Sequence, residues 1–545
     1  MERSKYLIFF LMILIVFPSL GEINRYMVFF KDKNDNAFNI NNPEQFLSIR
    51  ALDRRANQNI KISINDLPVS DVYVNSLNSL DDLDVYFSTK WMNGVLVEMD
   101  EGKIEEINAL PYVANVVLVA HGSKLGSIQN GSRKYKEAKS DFESFDGVET
   151  KGQNEFIGVD DMHSSGYHGE DMLIAIFDSG FGYINESSFF THVFEQNKLL
   201  SSKDFIRGSD NVFQYDVHGS KVLSCISGFK EGVYSGTAPE ANIVLCVTED
   251  IQSEFSIEEY NWLFAAEFAD SIGVDVINSS VGYSYFDDDR MNYTYEDLDG
   301  RTTVIAKAAN IVASKGILVV CSNGNEGNNS WQYLNSPADA DSILAVGAAT
   351  FDLDRANFSS FGPTSDGRIK PDISALGSWV KIALQEEITY ANGTSFSAPM
   401  VTGLAAGLWQ AFPELTSQEV IQYLKMTSSQ SDAPDTLLGY GIPNFRRAYN
   451  RIKVTEGEVS NKYVVFPNPV DNRRIISFYV DTLADDKRAN INFYDLKGSY
   501  IMGETLTVKS ELDPIEIDVS FLKPGSYILT YKNGQLEKKL KLVVL

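Results

Sequence analysis

Cysteine is scarce in this chain of 545 residues. The three present, Cys225, Cys246 and Cys321, are odd in number, lie in apolar runs and lack metal-ligand spacing. That argues against a disulfide framework or a cysteine-based metal centre, and fits buried free thiols. Positive charge is also short. Lys and Arg number 47 against 74 Asp and Glu, for a net charge of −27. This balance argues against a nucleic-acid partner and suits a soluble protein that attracts cations. Beyond the N-terminus no apolar run is long enough to read as a membrane span. Histidine numbers only five, so few residues can serve as a base near neutral pH.

What is there suggests several units. The length exceeds one compact core, and 44% hydrophobic residues mark the chain as globular. Residues 1–21 join Arg3 and Lys5 to an apolar run from Tyr6 to Phe17 and then Pro18-Ser19-Leu20-Gly21. That pattern predicts a signal peptide, with a signal anchor as the alternative. Residues 22–120 suggest strands over 26–30, 94–99 and 113–119 and helices over 42–58 and 102–110, an α+β unit. Residues 121–153 turn polar and read as a linker open to proteolysis.

Residues 154–452 alternate apolar strands (173–177, 243–247, 274–278, 317–321, 343–346) with helices (260–272, 302–315). Continuous apolar strands between helices predict an α/β fold, a parallel sheet covered by helices on both faces. Residues 460–545 change to period-2 strands with turns at Lys497-Gly498 and Pro524-Gly525, which predicts a β-sandwich.

In a parallel α/β sheet, active sites lie at the carboxyl ends of the strands. Asp178 directly follows the strand 173–177, and Asn325 follows the strand 317–321. His218 opens an apolar helical run. Ser395 stands in Asn392-Gly-Thr-Ser-Phe-Ser-Ala-Pro-Met400, at the head of a run hydrophobic nearly all round. Pro399 is tolerable in a first turn, which places that helix start near Ser395. A serine there faces unpaired backbone N–H groups, although an N-cap serine would look the same. One histidine competes with His218: His121-Gly-Ser-Lys repeats His218-Gly-Ser-Lys, but His121 precedes the polar linker.

Asp178-Ser-Gly, His218-Gly-Ser, Ser322-Asn-Gly-Asn-Glu-Gly327 and Asn392-Gly-Thr-Ser-Phe-Ser-Ala-Pro399 together resemble the four signature segments of the subtilisin-like serine proteases, in that family's order. The likeness spans about 157–449. It departs at Ser220, where Thr is commoner, and at Phe396, where Met is usual. It implies Ser395 as nucleophile, His218 as general base, Asp178 as the group that orients it, and Asn325 as oxyanion donor, with Asn323 competing for the last role. It also implies that Ser280, Val281 and Gly282 pair with an extended polypeptide substrate. Ser280–Gly282 and Cys321–Asn323 would wall the primary pocket, with Asn335 at its base.

The flanks carry resemblances of their own. Tyr26-Met-Val-Phe-Phe-Lys31 resembles the opening strand of the family's propeptides. This implies a zymogen whose propeptide occupies the cleft until it is cut within the linker. Phe466-Pro-Asn-Pro469, Tyr494-Asp-Leu-Lys-Gly498 and Leu522-Lys-Pro-Gly-Ser-Tyr-Ile-Leu529 resemble the C-terminal sorting domain of type IX secretion in Bacteroidota. The expected partners are then polypeptide substrates, the chain's own propeptide and the secretion machinery. The route crosses the inner and outer membranes to the cell surface or medium.

The chemistry requires no cofactor. The acidic stretch 283–301 reads as a solvated loop, with a structural Ca²⁺ site as the alternative. A catalytically silent homologue acting as a binding or scaffold protein is the rival reading.

Overall fold

The computed structural model describes residues 22–122, 148–455 and, further on, 463–466, 470, 474–480, 488–507, 515–534 and 536–544. The signal-peptide segment 1–21, most of the linker and the Pro467-Asn468-Pro469 motif lie outside the described residues.

The N-terminal part contributes β1 (Ile23–Phe30), α1 (Ile49–Asn57), α2 (Asp71–Asn78), β2 (Leu83–Thr89), β3 (Gly94–Asp100) and β4 (Val113–Ala120). The four strands form one antiparallel sheet in the order β2-β3-β1-β4. Tyr26, Val28, Val97, Tyr73 of α2 and Leu77 of α2 share its core. Sequence reading predicts neither α2 nor β2. Strand β2, Leu-Asp-Val-Tyr-Phe-Ser-Thr, is edge-placed and half exposed, so it lacks a continuous apolar signal.

Two compact units result. The first holds the described residues up to 41, those from 63 to 122, and 255–257; the second takes the rest, including 42–62. Segment 42–62, read from sequence as part of the N-terminal unit, therefore groups with the central domain. Its side chains give the reason. Arg54 and Arg55 of α1 both reach Asp270 at 2.7 Å, and Gln58 donates to the Gly316 carbonyl at 2.7 Å.

The central domain is built on seven strands: β5 (Leu173–Asp178), β6 (Leu199–Asp204), β7 (Asn242–Val247), β8 (Val276–Ser279), β9 (Leu318–Ser322), β10 (Leu344–Ala349) and β11 (Ile373–Leu376). All pair in parallel in the order β11-β10-β9-β8-β5-β7-β6. Helices α3 (His218–Ser227), α4 (Ile257–Ile272), α5 (Val304–Ser314) and α6 (Thr394–Ala411) are its main cover. Strands β5, β9 and β10 are buried at every residue, as apolar runs between two helical layers must be. The chain leaves β5 on one side for β7 and β6 and returns on its other side at β8, so a crevice opens at their carboxyl ends. No described helix is long and apolar enough to cross a membrane.

The C-terminal strands form two antiparallel sheets, Tyr463–Phe466/Ile475–Val480/Ile515–Asp518 and Tyr500–Thr507/Arg488–Asp495/Gly525–Asn533/Leu536–Val544. Ile476 and Ile517 of one sheet share a core with Ile491, Phe493, Leu529 and Leu542 of the other, which makes the expected sandwich.

Candidate active site

Four elements bring the candidate residues together. Asp178 ends β5, where the strand leaves the core, and its carboxylate is fully buried. A buried charge needs partners. Oδ1 accepts from the Ser179 N–H at 2.8 Å, from the Ser179 hydroxyl at 3.2 Å, and lies 2.7 Å from His218 Nδ1. His218 is the first residue of α3. Gly219 permits the close approach, since a Cβ there would come within 2.5 Å of the Gly180 carbonyl and 2.9 Å of Asp178 Cβ. Burial pulls the His218 pKa down, but the charge and hydrogen bond of Asp178, helped by Asp216, outweigh it and leave the pKa above 6.5.

Helix α6 packs against α3. Gly393 precedes it with φ of 151°, a conformation that disfavours side chains, and lets the chain turn into the helix at Thr394. Ser395 is therefore in the first turn, among backbone N–H groups with no intrahelical acceptor. Pro399 is the sixth residue of α6, inside the helix and past the first turn expected for it. Lacking an N–H, it leaves the Ser395 carbonyl without its usual partner. The Ser280 hydroxyl donates to that carbonyl at 3.1 Å. The segment read as substrate-binding thus also holds the serine's backbone in place.

Asn325 follows β9. Its Oδ1 accepts from the Thr394 N–H at 2.9 Å and the Thr394 hydroxyl at 3.1 Å. Two donors on one oxygen fix which way the amide faces and leave Nδ2 as its donor. Asn323 does not share this position. It is buried, and its amide donates to the Ser360 carbonyl at 2.7 Å.

One cavity of about 290 Å³ is lined by Asp178, His218, Ser280, Val281, Gly282, Asn325, Asn335 and Ser395. Of the residues assigned a role in the site from sequence, Asn323 is missing from it. Cys321 also stays out, buried like Cys225 and Cys246, and all three are free thiols. His121 follows β4 in the other unit, beside Phe255.

The acidic insertion differs from the solvated loop expected. Tyr283 and Leu298 are buried, and Tyr293 donates to Glu259 at 2.7 Å. Three of its carboxylates are engaged locally, Asp288 with Arg290, Asp297 with the Thr294 N–H, and Asp299 with the Arg301 and Thr302 N–H groups. Among the described residues, no three of its carboxylates gather closely enough to share an ion. Among the described residues, three carboxylates meet closely enough elsewhere, at Glu249, Glu254 and Glu258 on the cavity wall. Sequence reasoning missed them, although Thr248-Glu249-Asp250 directly follows β7.

A covered parallel sheet with a carboxylate–imidazole pair, a helix-start serine and an oriented amide at its strand ends defines a hydrolase of the serine type. Residues 169–441 match the Subtilase family, and the chain belongs to it. Residues 25–137 match the Bacteroidota peptidase S8 propeptide domain, and 464–545 the secretion system C-terminal sorting domain.

The chain is 26% identical to subtilisin DY of Bacillus licheniformis over 276 residues, which is 50% of this chain and 89% of that one. It is 30% identical to subtilisin of Bacillus pumilus over 277 residues, 49% of this chain and 87% of that one. The solved structure of MycP1 without its N-terminal propeptide superposes with a TM-score of 0.44 at 21% identity, covering 55% of this chain and 96% of that one. The protein is thus a subtilisin-family serine endopeptidase with a propeptide domain and a sorting domain that directs export.

The orientation of Asn325 gives a direct expectation. Asn325→Ala should keep the fold and lower kcat by about 10² to 10³, the loss known for one oxyanion donor in subtilisin and borrowed here as a precedent. Steady-state kinetics on a peptide checks it, and near-normal turnover would remove the oxyanion assignment.

Proposed function

We propose that the protein hydrolyses peptide bonds through an acyl-enzyme formed on Ser395. His218 takes the Ser395 proton as the hydroxyl attacks the carbonyl carbon, then gives it to the leaving amine. Water then attacks the acyl carbon and loses a proton to His218, which passes it to the Ser395 oxygen as the acid leaves. Asp178 holds the imidazole with Nε2 free to accept and stabilises its cation. Asn325 Nδ2 and the Ser395 N–H donate to the oxyanion. Ser280, Val281 and Gly282 pair with the extended substrate, and Asn335 lies at the pocket base. Every step uses side chains or water, without a cofactor. The observation that carries this reading is the 2.7 Å contact between His218 Nδ1 and Asp178 Oδ1, in the cavity that Ser395 and Asn325 also line.

In this reading residues 1–21 are a signal peptide, 22–120 the inhibitory propeptide and 121–153 the region cut on activation, ahead of a peptidase domain over 154–452 and a sorting domain over 460–545. The chain crosses both membranes of a Gram-negative cell and engages type IX machinery through its sandwich.

Fluorophosphonate labelling of wild type beside Ser395→Ala, with N-terminal sequencing of both, tests the assignment. Only wild type should label, and only wild type should lose the residues before the central domain. Equal labelling would mean another serine reacts. Absence of labelling in a folded, processed wild type would favour the silent homologue.

A further inference from the structure

Segment 42–62 precedes the linker in the chain but belongs to the central domain in space. Its contacts gather on one surface, at the carboxyl ends of α4 and α5. The Ser48 N–H donates to the Ser271 carbonyl at 2.8 Å. Arg50 donates to the Gly273 carbonyl at 3.0 Å and the Asp171 carbonyl at 2.7 Å, and pairs with Asp275. Arg54 and Arg55 both hold Asp270. The Gln58 amide joins two helices. It donates to the Gly316 carbonyl beyond α5 and accepts from the Ser417 N–H at 3.1 Å, at the start of the helix Ser417–Met426. The fit is close. A Cβ on Gly273 would come within 2.8 Å of the Ala51 nitrogen, and one on Gly316 within 2.7 Å of the Gln58 amide nitrogen. A helix of nine residues is too short to hold in water alone, so α1 takes its shape from this surface.

The surface lies away from the chemistry. Asp171, Asp275 and Gly316 stand just ahead of β5, β8 and β9, so the segment sits at the amino ends of these parallel strands. The cavity with Asp178, His218 and Ser395 lies at the carboxyl ends. Opening that cavity therefore does not require the segment to leave. Its connections to the rest of the N-terminal part are of a different kind. Residues 31–42 and 59–63 hold no helix or strand and are exposed or half-buried throughout. Chain of that kind is where proteases cut.

We propose that residues 42–62 are a structural part of the peptidase domain that maturation leaves behind. When the rest of 22–120 is removed, the segment stays as a separate chain across the ends of α4 and α5, and the mature enzyme has two chains. The inference rests on the reading of 22–120 as a propeptide that is cut away. It divides that region into a removable inhibitor and a retained brace.

The test follows the segment. Wild type is left to process itself until its mass is constant, passed through gel filtration, and then denatured for mass measurement. The active fraction should contain a peptide spanning Ser48 to Gln58 in equal amount with the domain, and no residues from 83–120. In Arg54→Met/Arg55→Met the peptide should dissociate at least about 10² times faster, the low end for removing one side of a buried ion pair. A second protein covers failure of that variant to fold and failure of wild type to process itself. It is the full chain with Ser395→Ala and with sites for a sequence-specific protease inserted in 31–42, in 59–63 and in the linker. After cutting at all three, the segment should co-elute with the domain.

Active enzyme free of the peptide overturns the proposal. So does loss of the segment from the cut Ser395→Ala chain, or an unchanged dissociation rate in the folded double variant. A wild type that never processes itself, beside a cut Ser395→Ala chain that keeps the segment, would overturn the zymogen reading and support the docking.

Discussion

Asp178→Asn is expected to lower kcat by about 10⁴, the loss seen when the same change is made in other serine triads, in a protein that remains folded. Asp178 Oδ1 serves the Ser179 N–H, the Ser179 hydroxyl and His218 Nδ1 at once. An amide offers one oxygen for the same three donors, and its NH₂ turned to the ring selects the tautomer with a proton on Nε2. That imidazole cannot accept the Ser395 proton. The pH profile gives a second readout. His218 must be neutral to act as base, and its pKa is raised above 6.5. In wild type kcat/KM should therefore fall as pH drops through a value above 6.5. In Asp178→Asn the raising charge is gone and the lowering effect of burial remains, so the acid limb of the residual activity should move to lower pH. A limb that stays in place, or a loss under tenfold, would remove Asp178 from its role.

Asp178 was legible because a carboxylate ending an apolar run has no structural use that water would not serve better. Asn325 was legible less directly. Asn323 and Asn325 share parity along the chain, so strand alternation cannot separate them. The turn at Gly324, with φ of 103°, sends one into the core and the other to Thr394. The family pattern favours Asn325 where periodicity cannot choose. Strand β6, Leu-Leu-Ser-Ser-Lys-Asp, escaped notice because an edge strand half open to water carries no apolar run. Glu249 was within reach of the rule that found Asp178, since it follows the carboxyl end of β7, whereas Glu258 lies in α4. Pro399 lies deeper in its helix than propensity allows because Ser280, 115 positions before Ser395, takes up the freed Ser395 carbonyl. Sequence could not announce that compensation.

The same limit applies to Arg54 and Arg55 of α1. Their partner Asp270 lies more than 200 positions on, at 216 and 215 residues respectively. The three side chains are 3%, 1% and 0% exposed. Asp270→Asn should therefore destabilise the full chain by about 3–5 kcal/mol, because two buried guanidinium groups lose their carboxylate. Urea unfolding followed by tryptophan fluorescence, in a Ser395→Ala background that prevents self-processing, measures it.

An ordinary buried ion cluster can be replaced by apolar residues of similar volume at little cost. Here that replacement should fail to restore stability. Arg54 donates to the Lys315 carbonyl at 3.2 Å and the Val274 carbonyl at 2.6 Å, and Arg50 to the Gly273 carbonyl at 3.0 Å. Those carbonyls follow the ends of α4 and α5, where a helix lacks intrahelical donors and its dipole favours cations. Arg54→Met/Arg55→Leu/Asp270→Leu would remove the charges and still orphan the Lys315 and Val274 carbonyls, at about 1–3 kcal/mol each. A triple variant as stable as its parent would show that α1 is held by packing alone. A triple variant that stays below it would show that segment 42–62 supplies the C-terminal caps of two helices in the central domain.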